Sequence, residues 1–277
     1  MQREPEHLLL ERARAGDRAA LDSLLKHHQA QIYRFGMQMC RDPEDASDVL
    51  QDTLLAMARN VKDFRGASSV STWLYSIARS FCIKKRRKSK FAPSSQASLD
   101  SDLPEQVAQL AAPTLSPDDA LASKQVAHAL DVAIGALEPM YREVLVLRDI
   151  EGLTAPEVAE VLEISVQAVK SRLHRARRAV RDYVAPLLGI GADPPPNPGS
   201  CPDVLSLYSQ HLEGDISATL CAEMEQHLAA CAACRGTCDS LKHTLALCRT
   251  TAPLLPVPDA VQAAVKVALR NWLVTTP

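Results

Sequence analysis

Between Thr154 and Val184 the sequence spells a short capped helix, a three-residue turn and a second helix with two chemically different faces. No other feature constrains the chain as tightly. Thr154-Ala155-Pro156-Glu157 has the form of a capping box, with threonine at the N-cap, glutamate three residues on and proline in the first turn. The helix it opens carries Val158, Ala159 and Leu162 and is short. Glu163-Ile164-Ser165 is a tight turn, and Ser165 is suited to cap the next helix. From Val166 to about Val184, the residues Val169, Leu173, Ala176 and Val180 recur at i, i+4, i+7 and i+11, a single apolar stripe. Gln167, Lys170, Ser171, His174, Arg175 and Arg178 fall on the opposite side. Charge divides at the same turn: residues 124–163 hold three basic and eight acidic side chains, residues 164–185 six basic and one acidic. This is a helix-turn-helix arrangement with a basic outer face. A DNA major groove admits such a helix, with N-terminal residues at base edges and later arginines at phosphates.

The rest of the chain also reads as helical. It has 10 glycines in 277 residues and 4% aromatic residues, which disfavours β-sandwiches, barrels and glycine-looped nucleotide sites. The expected fold class is all-α. Residues 91–119 hold four prolines and only acidic charge, and residues 189–200, GIGADPPPNPGS, cannot form a helix interior. These two linkers divide the chain into blocks at about 1–90, 120–188 and 201–277. In the first block Leu21, Leu24, Leu25, Ile32, Phe35 and Met39 mark one helix. Asp42 is the expected N-cap of the next, with Pro43 in its first turn and Val49, Leu50, Thr53, Leu54, Met57 and Val61 as its stripe. After a loop at Phe64–Ser69, Ser71 or Thr72 is expected to cap a helix carrying Trp73 and Tyr75. No apolar run reaches the roughly 18 residues of a membrane helix, and the first residues carry no signal-peptide core. A cytoplasmic protein with reduced thiols is the expectation.

Six of the seven residues from Lys84 to Lys90 are basic, and they continue the helix that holds Trp73, Tyr75 and Phe81. Cations bind phosphate and aromatic faces hold unstacked bases, so this pairing suggests single-stranded nucleic acid. A solvated helix end is the competing reading, and Trp73 also fits a core position.

Six of the eight cysteines follow residue 200. On a helix His227 and Cys231 share a face at i and i+4, with Cys234 about a turn further. One imidazole and thiolates suit tetrahedral Zn²⁺, and Cys201 is a candidate fourth ligand. Cys221, Cys238, Cys248, His211 and His243 remain as bystanders, exchangeable ligands or oxidisable thiols. Cys40 and Cys82 read as small core residues.

Together these segments form a recognisable set. Asp42-Pro43-Glu44-Asp45-Ala46-Ser47-Asp48-Val49-Leu50-Gln51-Asp52, then Phe64-Arg65, then Trp73-Leu74-Tyr75-Ser76-Ile77-Ala78-Arg79 resemble region 2 of the extracytoplasmic-function (ECF) sigma factors. Leu153–Ala159 and Val169–Arg177 resemble region 4 of the same family. His227–Cys234, preceded by Tyr208 and His211–Ser217, resembles the zinc-binding anti-sigma fold, with Cys201 as its leading ligand. The resemblance implies region 2 at 8–90, an acidic linker at 91–119, region 4 at 120–188 and a proline-rich linker at 189–200. It further implies an anti-sigma-like module at 201–250 and a tail at 251–277. Within that tail the sequence itself offers Ala260–Leu273 as a further amphipathic helix, docked on the module or on region 2. The resemblance implies that Asp45, Asp48, Gln51 and Asp52 dock on core RNA polymerase. A loop at about Arg65–Ser71 would capture a base flipped from the promoter's -10 element, flanked by Arg65 and Trp73. Arg79, Lys84, Lys85, Arg86 and Arg87 would follow the DNA backbone. Gln167, Lys170, Ser171, His174 and Arg175 would read the -35 element, while Arg172, Arg177 and Arg178 would serve structure or phosphate. Ser80, Lys84 and Gln167-Ala168 depart from the family's usual residues, which bears on promoter sequence and not on class.

No phosphate-binding loop, dinucleotide fingerprint, HExxH or GxSxG motif is present, so the chain is expected to have no catalysis of its own. An anti-sigma-like module tethered to its own sigma domains predicts an intramolecular contact able to occlude the polymerase-binding face, altered by metal or oxidation, with inhibition and activation both open. The alternative is a stand-alone helix-turn-helix regulator with a zinc sensor domain; the acidic helix at Asp42–Asp52 argues for the sigma factor.

Overall fold

The computed structural model describes residues 4–66, 68–91, 117–188, 201–251 and 256–275. The described residues are helices and turns, in two compact units. Most of the 91–119 linker and all of the 189–200 linker lie outside the described residues.

The first unit comprises α1 (Glu6–Arg14), α2 (Arg18–Cys40), α3 (Pro43–Asn60), a 3-10 turn (Val61–Asp63) and α4 (Val70–Phe91). The Asp17 carboxylate caps α2 by accepting from the Ala19 and Ala20 N–H groups. Arg41 ends α2 in the left-handed conformation, with φ +60°. Asp42 then caps α3, accepting from the Asp45 N–H, with Pro43 at its start and acids in its first turn, where they favour the helix dipole. The cap of α4 differs from expectation. Ser69 Oγ accepts from the Thr72 N–H at 3.0 Å, so the helix begins ahead of Ser71. Val70 is drawn into the core, and the cap falls at Ser69, ahead of both expected positions.

Leu24, Ile32, Phe35, Met39, Val49, Leu50, Leu54, Met57, Leu74 and Tyr75 are fully buried between α2, α3 and α4. Each such side chain contributes about 1.5–3 kcal/mol by leaving water. Phe35 and Tyr75 meet edge to face at 5.3 Å. Gly36 sits where α2 and α3 cross: a Cβ there would come within 3.2 Å of the Ala46 backbone. Cys40 and Cys82 lie in the same packing, sulfur to sulfur at 3.6 Å. A further helix, Asp259–Thr275, belongs to this unit and packs on α3, burying Val265 and Leu269.

The second unit holds α5 (Pro117–Ala136), α6 (Pro139–Leu145) running into a π-turn (Val146–Ile150), α7 (Ala155–Leu162), α8 (Val166–Val184) and a 3-10 turn (Ala185–Leu188). It continues with α9 (Val204–Leu212), α10 (Ala218–Ala230) and α11 (Ala232–Thr251). The Thr154–Glu157 capping box is complete, and Glu163, left-handed at φ +56°, ends α7. Ser165 caps α8 through the Ala168 N–H. Val169, Leu173, Ala176 and Val180 are all buried. Arg142 donates to the Ile134, Gly135 and Leu137 carbonyls, satisfying the end of α5. Residues 201–251 are docked on this helix-turn-helix. α11 lies against α8, α5 and the π-turn, and Leu205, Leu241 and Leu245 form a joint apolar cluster with Tyr208 and Leu212.

His28 in α2 gives the first unit a pH limit. Its ring is buried, with Nε2 lacking a hydrogen-bond partner, Nδ1 2.7 Å from Gln31 Nε2, the His27 ring at 5.0 Å and a Glu6 carboxylate oxygen at 3.8 Å. Burial, reinforced by His27, pulls its pKa from 6.5 down to about 4. The folded chain keeps the ring neutral, whereas the unfolded chain takes up a proton below 6.5. Stability of this unit therefore falls as pH drops from about 6.5 to about 4, by on the order of 3 kcal/mol at the lower end. The chain's 2 tryptophans, Trp73 and Trp272, both belong to this unit. Urea unfolding followed by their fluorescence at pH 7 and pH 4.5 is expected to give this drop, and a smaller one in His28→Gln.

Candidate functional site

Three groups of functional side chains can be built from these elements. The first lies on α8. Gln167, Lys170, Ser171 and His174 line one wall of a cleft of about 580 Å³, and Ser206, Ser209, Gln210, Glu213 and Asp215 line the other. Four of the five residues expected to read bases, all but Arg175, therefore face α9 and the turn after it. Lys170 Nζ lies 2.5 Å from Asp215 Oδ1. Arg175 is exposed and donates to the Tyr141 hydroxyl at 3.2 Å, and Arg172 is half-buried. His174 is held below its ordinary pKa by burial, and Arg178, Arg175 and Arg177 add to this against Asp203, so it is neutral at pH 7.

Beneath this surface is a buried ion network. Arg177, 1% exposed, donates to both carboxylate oxygens of Asp149 at 2.7 and 2.8 Å, to Ser209 Oγ at 3.0 Å and to Glu213 Oε1 at 2.7 Å. Arg148 donates to the other Glu213 oxygen at 3.0 Å. The Glu213 side chain, only 3% exposed, is thus held between two guanidinium groups. The π-turn places Arg148 and Asp149 in consecutive positions facing this network, and such turns recur at functional sites. Arg181 adds a 2.7 Å bond to Ser240 on α11. Arg177 is accordingly a structural residue. The sequence reasoning missed Glu213, Asp215, Arg148 and Asp149. An acid pair around Gly214 at a helix end was the visible signal, but its cationic partners are at least 36 residues away.

The second group lies on α3 and α4. Lys85 reaches Asp45 at 2.9 Å and Asp48 at 2.5 Å, so a residue expected on the DNA backbone is engaged by two of the acids expected on polymerase. Its pKa is raised, chiefly by the Asp48 hydrogen bond. Asp52 is raised by partial burial and then by Asp48. Gln51 is half-buried. Trp73 stacks on Phe64 at 4.8 Å, and with Asn60, Asp63, Arg65 and Ser68 the pair lines a cleft of about 280 Å³. Lys84 lies over the Phe81 ring at 4.9 Å; Arg79 and Arg86 are half-buried and Arg87 is exposed.

The third group is a candidate metal centre. Cys201, His227, Cys231 and Cys234 present ligand atoms within 4.8 Å of one another. His227 comes from the last turns of α10, Cys231 is the extended residue joining α10 to α11, and Cys234 lies in the first turn of α11. His227 Nε2 is buried without a hydrogen-bond partner, as expected of a nitrogen placed to bind a cation. The Cys234 N–H lowers the Cys231 thiol, and burial followed by the neighbouring thiols pushes Cys234 up to about 12. A cation would reverse the latter effect, because it binds thiolate. Three sulfurs and one imidazole fit a closed tetrahedral site. Cys238 and Cys248 are buried in α11 away from this set, and burial pushes Cys248 up to about 12.

Comparison with known proteins places these groups. Sigma-70 region 2 matches residues 24–91, sigma-70 region 4 matches 127–180, and a zinc-finger family matches 201–235. The RNA polymerase sigma-H factor of Pseudomonas aeruginosa is 30% identical over 191 residues, 67% of this chain and 96% of that protein. The ECF sigma factor SigM of Mycobacterium tuberculosis is 34% identical over 163 residues, 59% of this chain and 76% of that one. The chain also spans 65% of the length of the ECF sigma factor SigE of Mycolicibacterium smegmatis, at 29% identity over 61% of its own length. The chain belongs to the ECF sigma factors of the sigma-70 family. It is a transcription-initiation factor whose family partners are core RNA polymerase and promoter DNA, and it carries an additional zinc-finger-like segment. The alternative of a stand-alone regulator is not favoured.

Two predictions follow from the site. Arg177→Met leaves Asp149 and Glu213 as buried acids sharing fewer cations. Breaking a buried network from one side costs about 3–5 kcal/mol, measurable as a lower melting temperature by calorimetry of the full chain. In the metal centre, Cys231→Ser with Cys234→Ser is expected to abolish tight binding at this cluster, read as loss of the chelator-resistant metal by elemental analysis.

Proposed function

We propose that this sigma factor holds its own -35-reading surface closed by means of its zinc-loaded module. Core RNA polymerase docks on Asp45, Asp48, Gln51 and Asp52. Arg65 and Trp73 flank the pocket that takes the flipped -10 base, since extruding a base costs a few kcal/mol and a ready cavity beside an aromatic stack offsets part of that. Arg79, Lys84, Lys85, Arg86 and Arg87 follow the backbone. Gln167, Lys170, Ser171, His174 and Arg175 approach base edges and Arg172 the phosphates. Zn²⁺ is the ion held by Cys201, His227, Cys231 and Cys234, in a structural role that fixes α9 and α10 to α11. The protein works in the cytoplasm and performs no catalysis.

The observation that carries the regulatory part is the cleft in which Lys170 meets Asp215 and Gln167, Ser171 and His174 face α9. A major groove about 12 Å wide must admit α8 from that same side. Asp215 supplies a carboxylate to Lys170 where DNA would supply its own acceptors, so module and promoter compete for one surface. A module docked next to its target acts at high effective concentration, on the order of millimolar, so a modest contact suffices. The competition lowers DNA affinity without removing it, as a switch requires.

Asp215 is the residue to change, because its side chain is 39% exposed and its loss costs the fold little. Asp215→Lys in the full chain is expected to tighten binding to duplex DNA by about 3–10-fold at moderate salt, measured by fluorescence anisotropy, since one repelled cation pair replaces one attractive pair. Unchanged affinity would sink the competition. Docking is read separately: Asp48→Ala with Gln51→Ala is expected to weaken the full chain's affinity for purified bacterial core polymerase by at least about tenfold, a loss of roughly 1.4 kcal/mol or more.

A further inference from the structure

Cys40 and Cys82 stand 42 residues apart in the sequence, and the fold brings their sulfurs to 3.6 Å. Cys40 is the last residue of α2, just ahead of the left-handed Arg41, and Cys82 lies midway along α4. Both belong to the first unit, whereas the metal centre belongs to the second. The two thiols differ in access: Cys82 is 1% exposed and Cys40 is half-buried. The Cys40 thiol is held below its ordinary pKa, chiefly by its contact with Cys82; Arg86 and Lys85 add to this against burial and Asp45. A thiol near cations and open to solvent on one side is the reactive kind, because its thiolate is the nucleophile.

A reachable cysteine backed by a second thiol in contact with it is the arrangement of an oxidisable residue and its resolving partner. We propose that Cys40 and Cys82 form a reversible disulfide when the chain meets hydrogen peroxide. The Cys40 thiolate attacks one peroxide oxygen, the O–O bond breaks, and the departing hydroxide leaves as water with the proton that Cys40 gave up. Cys40 is then a sulfenic acid. The Cys82 sulfur attacks the Cys40 sulfur, the S–O bond breaks, and a second water leaves with the Cys82 proton. The two sulfurs together lose two electrons and the peroxide gains them. A dithiol reductant returns both to thiols by exchange. A disulfide holds its sulfurs about 2.05 Å apart, so the pair closes by about 1.5 Å from its present separation.

The position gives the bond a consequence, which rests on the reading of Asp45 and Asp48 as polymerase-docking acids. Asp42, two residues beyond Cys40, caps the helix that carries both acids. Lys85, one turn beyond Cys82 on α4, already holds both, at 2.9 and 2.5 Å. Drawing Cys82 toward Cys40 pulls that turn of α4 onto the start of α3. Oxidation therefore fastens the internal cation over the acids and weakens docking.

The test uses the full chain, reduced and loaded with Zn²⁺, then treated with hydrogen peroxide, blocked with iodoacetamide and digested with trypsin. Cleavage after Arg34, Arg41, Arg79 and Lys84 isolates the two thiols on peptides 35–41 and 80–84. Mass spectrometry is expected to find these peptides joined, two hydrogens lighter than their sum, and separate again after dithiothreitol. In Cys82→Ser the chemistry should stop at Cys40, which then reacts with dimedone; Cys40→Ser should leave Cys82 unoxidised. Both peptides recovered alkylated while thiols elsewhere in the chain oxidise would overturn the disulfide, as would Cys40 found only as sulfinic acid. Affinity for purified core polymerase should fall at least about fivefold on oxidation, recover with dithiothreitol, and stay constant in Cys40→Ser. A disulfide with unchanged affinity would overturn the link to docking and leave the thiol pair standing. Failure of the docking reading is distinguishable, because Asp48→Ala with Gln51→Ala would then leave the reduced chain's affinity for polymerase unchanged.

Discussion

The arginine at position 177 organises the second unit. A guanidinium cannot be deprotonated in a protein, so burying it demands acceptors on every side. Asp149 supplies two from the π-turn, Ser209 supplies one from α9, and Glu213 supplies one from the turn beyond. The first partner is local to region 4. The other two belong to the module, so the charge inside the DNA-binding domain is completed by a segment beyond the proline-rich linker. Undocking the module would expose Arg177 on one side to water. That is tolerable for a cation but forfeits contacts to Glu213, which Arg148 also holds at 3.0 Å. The ion network therefore acts as the floor of the contact, and the apolar cluster of Leu205, Leu241 and Leu245 supports it.

The two acids of the turn divide the work. Glu213 is buried and anchored; Asp215 is exposed and meets Lys170 at the mouth of the cleft. A surface pair of this kind contributes about 0–1 kcal/mol and is screened by salt. Phosphates arrive in numbers, and each cation they neutralise releases counterions. On the proposed competition, an exposed acid is the part of the contact that DNA would displace first, while the buried acid would set the geometry to which the module returns. Region 2 repeats the theme on a smaller scale. Lys85 holds Asp45 and Asp48, so the surface expected to meet polymerase carries an internal cation that a partner's charges must outcompete. The helix Asp259–Thr275 adds packing on that same α3.

Much of this is legible in the amino-acid sequence. The capping box at Thr154, the caps at Asp42 and Ser165 and the stripe Val169–Leu173–Ala176–Val180 are local patterns, fixed by hydrogen-bond chemistry and helical period, and they appear as read. The set Cys201, His227, Cys231 and Cys234 was legible from its spacing and ligand types, although the expected single helix breaks at the extended Cys231 and Cys234 lies on α11. The cap at Ser69 was not, because burial of Val70 and not side-chain propensity decides where α4 begins. Glu213 and Asp215 were not, because acids after a helix look like an ordinary solvated turn until their cations are known. Sequence spacing shows which residues share a face; it does not show what faces them.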